Sequence, residues 1–264
     1  MEHEQKQKEA AVKTHSDQAG QFEERYEGEL KDPYSNCFVY SRKRLQVWLE
    51  RAIPAAGSGQ RLLDVGCGTG HHLRDLQARG FSVSGVDGSE EMLKVARRIN
   101  PGVDLRSADV EALPYESGSF DWVLSIEVLR YLPDFRKTVK EMGRVLSPGG
   151  TAVVTACPRF SLNLYTLVNR VGASGKVSGL TPLRQYFTTG GELTRGFKDA
   201  GFDEIEVHGV YSGPLNWVER LARPLVKPLL HAWEPIDSRL ADLGPLRELG
   251  NMFVVIARKA RSPK

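Results

Sequence analysis

The sequence predicts an α/β fold: an open, mostly parallel sheet of seven strands with helices on both faces and helical cap and lid insertions. Two observations carry this. Short apolar runs at 61–65, 81–86, 103–107, 120–126, 151–156, 205–210 and 252–257 are separated by stretches of helical periodicity, the rhythm of strand–helix–strand units. The run at 120–126, Phe-Asp-Trp-Val-Leu-Ser-Ile, is nearly continuous, as a strand covered on both faces requires. The 264 residues suffice for one full core, or a core plus a lid, and 41% hydrophobic with 26% charged residues is ordinary globular composition. A net charge of +3, with Lys and Arg dispersed among acids, argues against nucleic acid as a partner. Cys37, Cys67 and Cys157 are odd in number and far apart, so neither a disulfide framework nor a zinc spacing can be built, and a reducing cytoplasm is expected. Residues 1–20 lack the apolar centre of a signal peptide, and no run of about 18 apolar residues occurs.

Taken in order, residues 1–20 read as a flexible tail, disordered or a frayed helix, because Gln, Lys, Glu and His bury too little apolar surface to offset ordering entropy. Residues 21–56 form a helical cap. It holds an aromatic cluster (Phe22, Tyr26, Tyr34, Phe38, Tyr40) and a helix over 41–53, with Leu45, Trp48, Leu49 and Ala52 at helical spacing. Residues 57–264 form the main domain, interrupted by lids at 158–188 and 214–250. Its first strand, 61–65, runs into Asp64-Val65-Gly66-Cys67-Gly68-Thr69-Gly70 and then a helix over 71–79 stopped by Gly80. An apolar strand breaking into a glycine turn at a helix mouth is a nucleotide-binding layout. The spacing is G-x-G-x-G; the position of the third glycine of the dinucleotide fingerprint is His71, which counts against NAD or FAD. The second strand ends at Asp87-Gly88-Ser89. Ser89 suits the N-cap of the next helix, with Glu90 and Glu91 in its first turn. Asp87, about twenty residues beyond the first glycine, is either a helix-capping acid or an acceptor for a ribose diol.

The string from Asp64 to Gly70 closely resembles the first motif of the class I S-adenosylmethionine (SAM)-dependent methyltransferases, the small-molecule branch that includes the quinone-biosynthesis enzymes being most similar. The resemblance spans about 61–155 and the C-terminal strands. It implies SAM as cofactor and a Rossmann-like sheet whose last strand is antiparallel. Gly66, Cys67, Gly68 and Gly70 would then lie against the amino-acid part of SAM, and Asp87 and Gly88 against the ribose. Asp109 and Val110, after the third strand, would face adenine, where a bare Asp in a loop is otherwise a turn residue. Tyr26 would lie over the methionine end, or else pack between cap and core. Ser125, at the end of the fourth strand, would border the donor, because ligands in open α/β sheets bind beyond the strands' carboxyl ends.

Beyond Ser125, the resemblance leaves the acceptor open. Glu127, Tyr131 and Tyr186 are candidate pocket residues, and they and His208 are candidate bases, each equally a structural residue. The D/N-P-P-Y-type string of nucleic-acid and glutamine N-methyltransferases is missing after the fourth strand, which argues against those substrates. No His/Asp/Glu set has metal-ligand spacing. After a helix over 134–146, the turn Ser147-Pro-Gly-Gly leads to the fifth strand, and Thr189 with Glu192 makes a capping box. In 214–250, Leu215, Val218, Leu221, Ala222, Leu225, Leu229, Ala232 and Trp233 recur at helical spacing, while Pro224 and Pro228 should break the helix into two or three pieces. This stripe is a lid face packed on its own domain, or an interfacial face that enters lipid.

The expected activity is transfer of the SAM methyl to a small-molecule acceptor, at an O, N or C atom. Rival readings are a nicotinamide oxidoreductase, a SAM-binding regulator without turnover, and a membrane-peripheral methyltransferase on a lipid-linked or quinone acceptor.

Overall fold

The computed structural model describes residues 2–20, 32–172, 183–211, 213, 215–240 and 243–261. Its centre is a seven-stranded sheet of β1 (Arg61–Val65), β2 (Ser82–Asp87), β3 (Asp104–Ser107), β4 (Phe120–Ser125), β5 (Leu146–Ala156), β6 (Phe202–Val210) and β7 (Met252–Lys259). The spatial order is β3-β2-β1-β4-β5-β7-β6, and β7 runs antiparallel to both its neighbours while the other pairings are parallel. The direction of winding reverses between β1 and β4, and this switch point opens a cleft at the carboxyl ends of the strands.

Strand geometry sends successive side chains to opposite faces. Leu62, Leu124, Val153 and Val254 therefore enter one core, with Tyr40, Trp48, Leu73 and Leu93 from the helices. Leu63, Val123, Val154 and Val255 enter the other, with Met142, Leu193 and Phe197. The first face is covered by α2 (Cys37–Ala52), α3 (His71–Ala78) and α4 (Glu90–Ile99), the second by α5 (Phe135–Val145) and α7 (Gly190–Asp199), α6 being Tyr165–Gly172. Leu62, Leu63, Val153 and Val154 are fully buried, and each such side chain contributes roughly 1.5–3 kcal/mol relative to exposure.

Several ends move from their expected places for identifiable reasons. Helix α2 starts at Cys37 because the Asn36 side chain caps it, accepting from the Val39 N–H at 2.9 Å. Ser147-Pro148-Gly149-Gly150, expected as a turn, belongs to β5, whose Leu146 pairs with Phe120 before a register shift. The Ser89 cap and the Thr189/Glu192 capping box form as the residue types require.

Two expectations are corrected. The polar N-terminus is not a frayed tail but a helix, α1 (Glu2–Asp17), held by polar contacts to distant parts of the chain: Ser16 Oγ lies 2.7 Å from Ser89 Oγ, and Lys137 Nζ donates to Glu4 at 3.2 Å. In the second lid, residues 215–240 fall into three pieces, within the number expected, with Pro224 in the middle one, but Pro228 is not a break. It falls in the first turn of α9 (Val226–Leu240), where its missing N–H removes no helical bond, while α8 (Leu215–Leu221) and a 3-10 turn at Arg223–Leu225 precede it. The anchoring side chains of this segment are Leu215, Val226, Leu230 and Asp237, with Val218 and Trp233 of the expected stripe packed against the same core; Leu221, Leu225 and Leu229 of that stripe face outward.

Asp237, fully buried, lies 3.1 Å from Arg44 Nε and accepts from Tyr40 Oη at 3.1 Å, tying α9 to α2. Removing one partner of a buried ion pair leaves the other uncompensated. Asp237→Ala should therefore lower the unfolding free energy by about 3–5 kcal/mol, and Tyr40→Phe by only about 1 kcal/mol, measured by urea denaturation.

Candidate active site

The cleft at the switch point is a cavity of about 860 Å³ that passes the ends of β3, β2, β1 and β4. At β1 the chain turns sharply: the Gly66 and Cys67 N–H groups both donate to Val86 O, at 2.7 and 2.9 Å. Gly68, at φ +52°, has its N–H aimed at Asp87 Oδ2, 2.8 Å away, and a Cβ built there would meet nothing within 4 Å. A side chain at this position would therefore project into the cavity. Gly70, also left-handed at φ +77°, faces the other way: a Cβ there would strike Asn100 Nδ2 at 2.5 Å.

Asp87 sits at the tip of β2 with Oδ2 on the Gly68 N–H and Oδ1 on the Ser89 N–H, both at 2.8 Å. Burial raises its carboxyl above the ordinary value against the pull of those two donors. Asp64 faces the same cavity from β1. It is 1% exposed, its Oδ2 has no hydrogen-bond partner, and burial, then the charge of Asp87, push its pKa up to about 8. His72, at the start of α3, also lines the cavity, and burial holds its pKa down at about 3.

Beyond β3, Asp109 and Val110 line the wall. Asp109 Oδ1 accepts from the Glu111 N–H at 3.0 Å, and Oδ2 lies 2.6 Å from Lys8 Nζ of α1. Helix α1 thus forms a roof, contributing Gln5, Lys8, Ala11, Val12 and His15 to the lining.

At the β4 end the character changes. Glu127 is a non-glycine residue in the left-handed region, φ +64°, a conformation that surrounding structure must impose. Thr155 of β5 imposes it, its Oγ1 accepting from the Glu127 N–H at 2.7 Å. The Glu127 carboxylate is ion-paired with Arg130, whose guanidinium lies 5.7 Å from the Tyr165 ring centroid. Tyr165 donates to Gln185 at 3.0 Å. Tyr131 packs edge-on against His15, ring centroids 4.8 Å apart, and burial raises its pKa, so it is protonated at neutral pH.

Of the residues expected here, Gly66, Cys67, Gly68, Asp87, Gly88, Asp109, Val110, Glu127 and Tyr131 come together on one wall. Four others lie off it. Gly70 faces Asn100, and Ser125 is fully buried, its hydroxyl donating to Val65 O at 2.9 Å to pin β4 to β1. Tyr186 uses its backbone N–H on Arg130 O at 2.8 Å, with its ring beside Arg184. His208, on β6 at the far sheet edge, stacks on Trp48 and lies 3.0 Å from Glu206. Tyr26 lies outside the described residues. Missing from the expected set were Asp64, Lys8, His15 and Arg130. The first was visible as an acid ending an apolar strand. Lys8 and His15 were visible only as the spacing Lys8-Val12-His15-Ala19 along one helical face.

Comparison with known proteins agrees with this geometry. The methyltransferase domain family matches residues 63–154. The ubiquinone biosynthesis O-methyltransferase of Thiobacillus denitrificans is 33% identical over 184 residues, covering 66% of this chain and 77% of that protein. That of Idiomarina loihiensis is 32% identical over 167 residues, covering 60% and 68%. Among solved structures, a SAM-dependent methyltransferase of Thermotoga maritima, described as a possible histamine N-methyltransferase, superposes with a TM-score of 0.59. It is 21% identical and covers 92% of this chain and 97% of its own, a likeness of fold.

The buried acid has a pH signature. With its folded pKa near 8 and an ordinary value of 3.8, Asp64 is protonated in both states at low pH. Between these values only the unfolded chain ionises, so stability falls as pH rises through the window and levels off above about 8. Asp64→Asn should remove this fall, the ligand-free parent losing stability against the variant by a few kcal/mol from about pH 4 to pH 8 in urea titrations.

Proposed function

The chain belongs to the class I SAM-dependent methyltransferases and transfers the SAM methyl group to a small-molecule acceptor; we propose that the cavity from Asp109 to Glu127 holds donor and acceptor end to end. The single observation that carries this reading is the open space in front of Gly68, bounded by one acid from each of β1 and β2 and one from the loop after β3. The residues fit the cofactor. Asp64, buried with an unpartnered oxygen, suits the α-ammonium of SAM. Asp87, pinned by two amides, retains lone pairs for a ribose diol, and Asp109 with the Val110 amide suits the adenine edge. When bound, SAM supplies a methyl already activated by its sulfonium.

What the chain adds is alignment and dryness. Holding two reactants in attack geometry can lower a barrier by about 7–11 kcal/mol. The α1 roof, with Tyr131 and His15, keeps water from the middle of the cavity. Glu127 is the carboxylate on the acceptor side. A carboxylate there can receive a proton from an acceptor hydroxyl, while the ion pair with Arg130 steadies its place. Buried Tyr131 serves as a hydrogen-bond donor to the acceptor, not as a base.

A second reading, a membrane-peripheral enzyme on a lipid-linked or quinone acceptor, has its own support. Phe160, Leu162, Leu164 and Leu167 are exposed around α6, whose Tyr165 lines the cavity. Leu221 is 86% exposed and Leu225 55%, flanked by Arg220 and Arg223. Exposed apolar side chains with basic neighbours fit the face of an anionic bilayer, and the ubiquinone-biosynthesis relatives support a quinone-type acceptor. Among the described residues no helix is long and apolar enough to cross a membrane. The three cysteines, unpaired and buried, support a reducing, cytoplasmic setting.

Gly68→Val should abolish SAM binding in calorimetry with the circular dichroism unchanged, and Asp87→Ala should weaken it at least tenfold; wild-type affinity in both would contradict the site. On anionic vesicles the parent should float. Leu221→Glu with Leu225→Glu should remain at the bottom while methylating a water-soluble acceptor normally, and a parent that does not float removes the membrane reading.

A further inference from the structure

Helix α1 places a cation on the acid that the adenine end of the cofactor is expected to use. Lys8 Nζ lies 2.6 Å from Asp109 Oδ2 and 2.9 Å from Glu111 Oε2. The second oxygen of Asp109 accepts from the Glu111 N–H at 3.0 Å, so each oxygen of this carboxylate has a donor within the chain. An ammonium donating to Asp109 makes the same kind of bond that an exocyclic amine would make, with a full charge behind it. Burial works against the Lys8 charge, yet its bonds to Asp109 and Glu111 prevail and raise its pKa. The rest of α1 is fastened by Ser16 on Ser89, Glu4 on Lys137, and His15 edge-on to Tyr131. Val12 lies over Gly88, where an added Cβ would come within 3.0 Å of it.

We propose that Lys8 is an internal competitor for the adenine end of the site, and that α1 is a gate whose Lys8–Asp109 pair SAM must displace to bind. The inference rests on reading Asp109 as the adenine-facing acid. Apparent affinity falls by the fraction of molecules in which Asp109 is available. Asp109 is 43% exposed at its side chain, so the pair is screened by salt, and its removal shifts binding by a modest factor.

The test is calorimetric titration with SAM of the parent, Lys8→Met, Lys8→Arg and Glu111→Gln, at low and high sodium chloride. Lys8→Met should bind SAM about two- to tenfold more tightly than the parent, and Lys8→Arg should bind as the parent does. Glu111→Gln, which leaves Asp109 intact, should change affinity in the same direction by a smaller factor. Parent affinity should rise with salt and that of Lys8→Met should not. If Lys8→Met binds equally or more weakly, Lys8 is not a competitor and the gate is overturned. If the parent itself takes up no SAM, the cofactor reading fails first, and the gate with it.

Discussion

The two backbone N–H hydrogen bonds that hold the Asp87 carboxylate are the constraint on which the site depends. One comes from Gly68 in the turn after β1, the other from Ser89 at the mouth of α4. Together they lock the ends of two neighbouring parallel strands into one rigid edge. The turn can then keep its left-handed glycine with no side chain in the cavity, and Asp64 can lie buried beside a second acid. Burial, and after it the charge of Asp87, makes an ionised Asp64 unfavourable without a cation, and its pKa is raised accordingly. A positively charged ligand relieves that strain, and the electrostatics of the ligand-free site thus already select for one.

The opposite end of the cavity uses different physics. Glu127 is forced left-handed by its bond to Thr155, and its charge is cancelled by Arg130, so this end is shaped more by aromatic and apolar surfaces than by net charge. That division suits an enzyme whose donor is always the same and whose acceptor is distinguished by shape. The exposed leucines of the second lid and around α6 extend this apolar character to the outer surface.

Much of the sheet could be read from the chain. The strands around 61–70 and 120–126 carry their own punctuation, a glycine turn in one case and a continuous apolar run in the other, and Ser89 and Thr189 announce the helices they cap. The misreadings share one cause, that local composition does not report long-range partners. Residues 2–17 have a polar sequence, and their helix is held by Lys8, Ser16 and Glu4 to residues far along the chain. In 214–250 the regular leucine stripe was legible, but which side of it would be buried was decided by Asp237, Val226 and Leu230 docking on α2 and the core. Gly70 was placed at the site by its position in the motif and Ser125 by its position at a strand end; the space beside Gly70 is filled by Asn100, and the Ser125 hydroxyl turns inward to Val65 O.

The most direct measurement of the central claim is calorimetric titration of the unmodified protein with SAM and, separately, with NADH. A cavity edged by Asp64, Asp87 and Asp109, with His71 where a dinucleotide turn needs glycine, predicts one equivalent of SAM bound and no heat from NADH. Saturable NADH binding, with none for SAM, would contradict it.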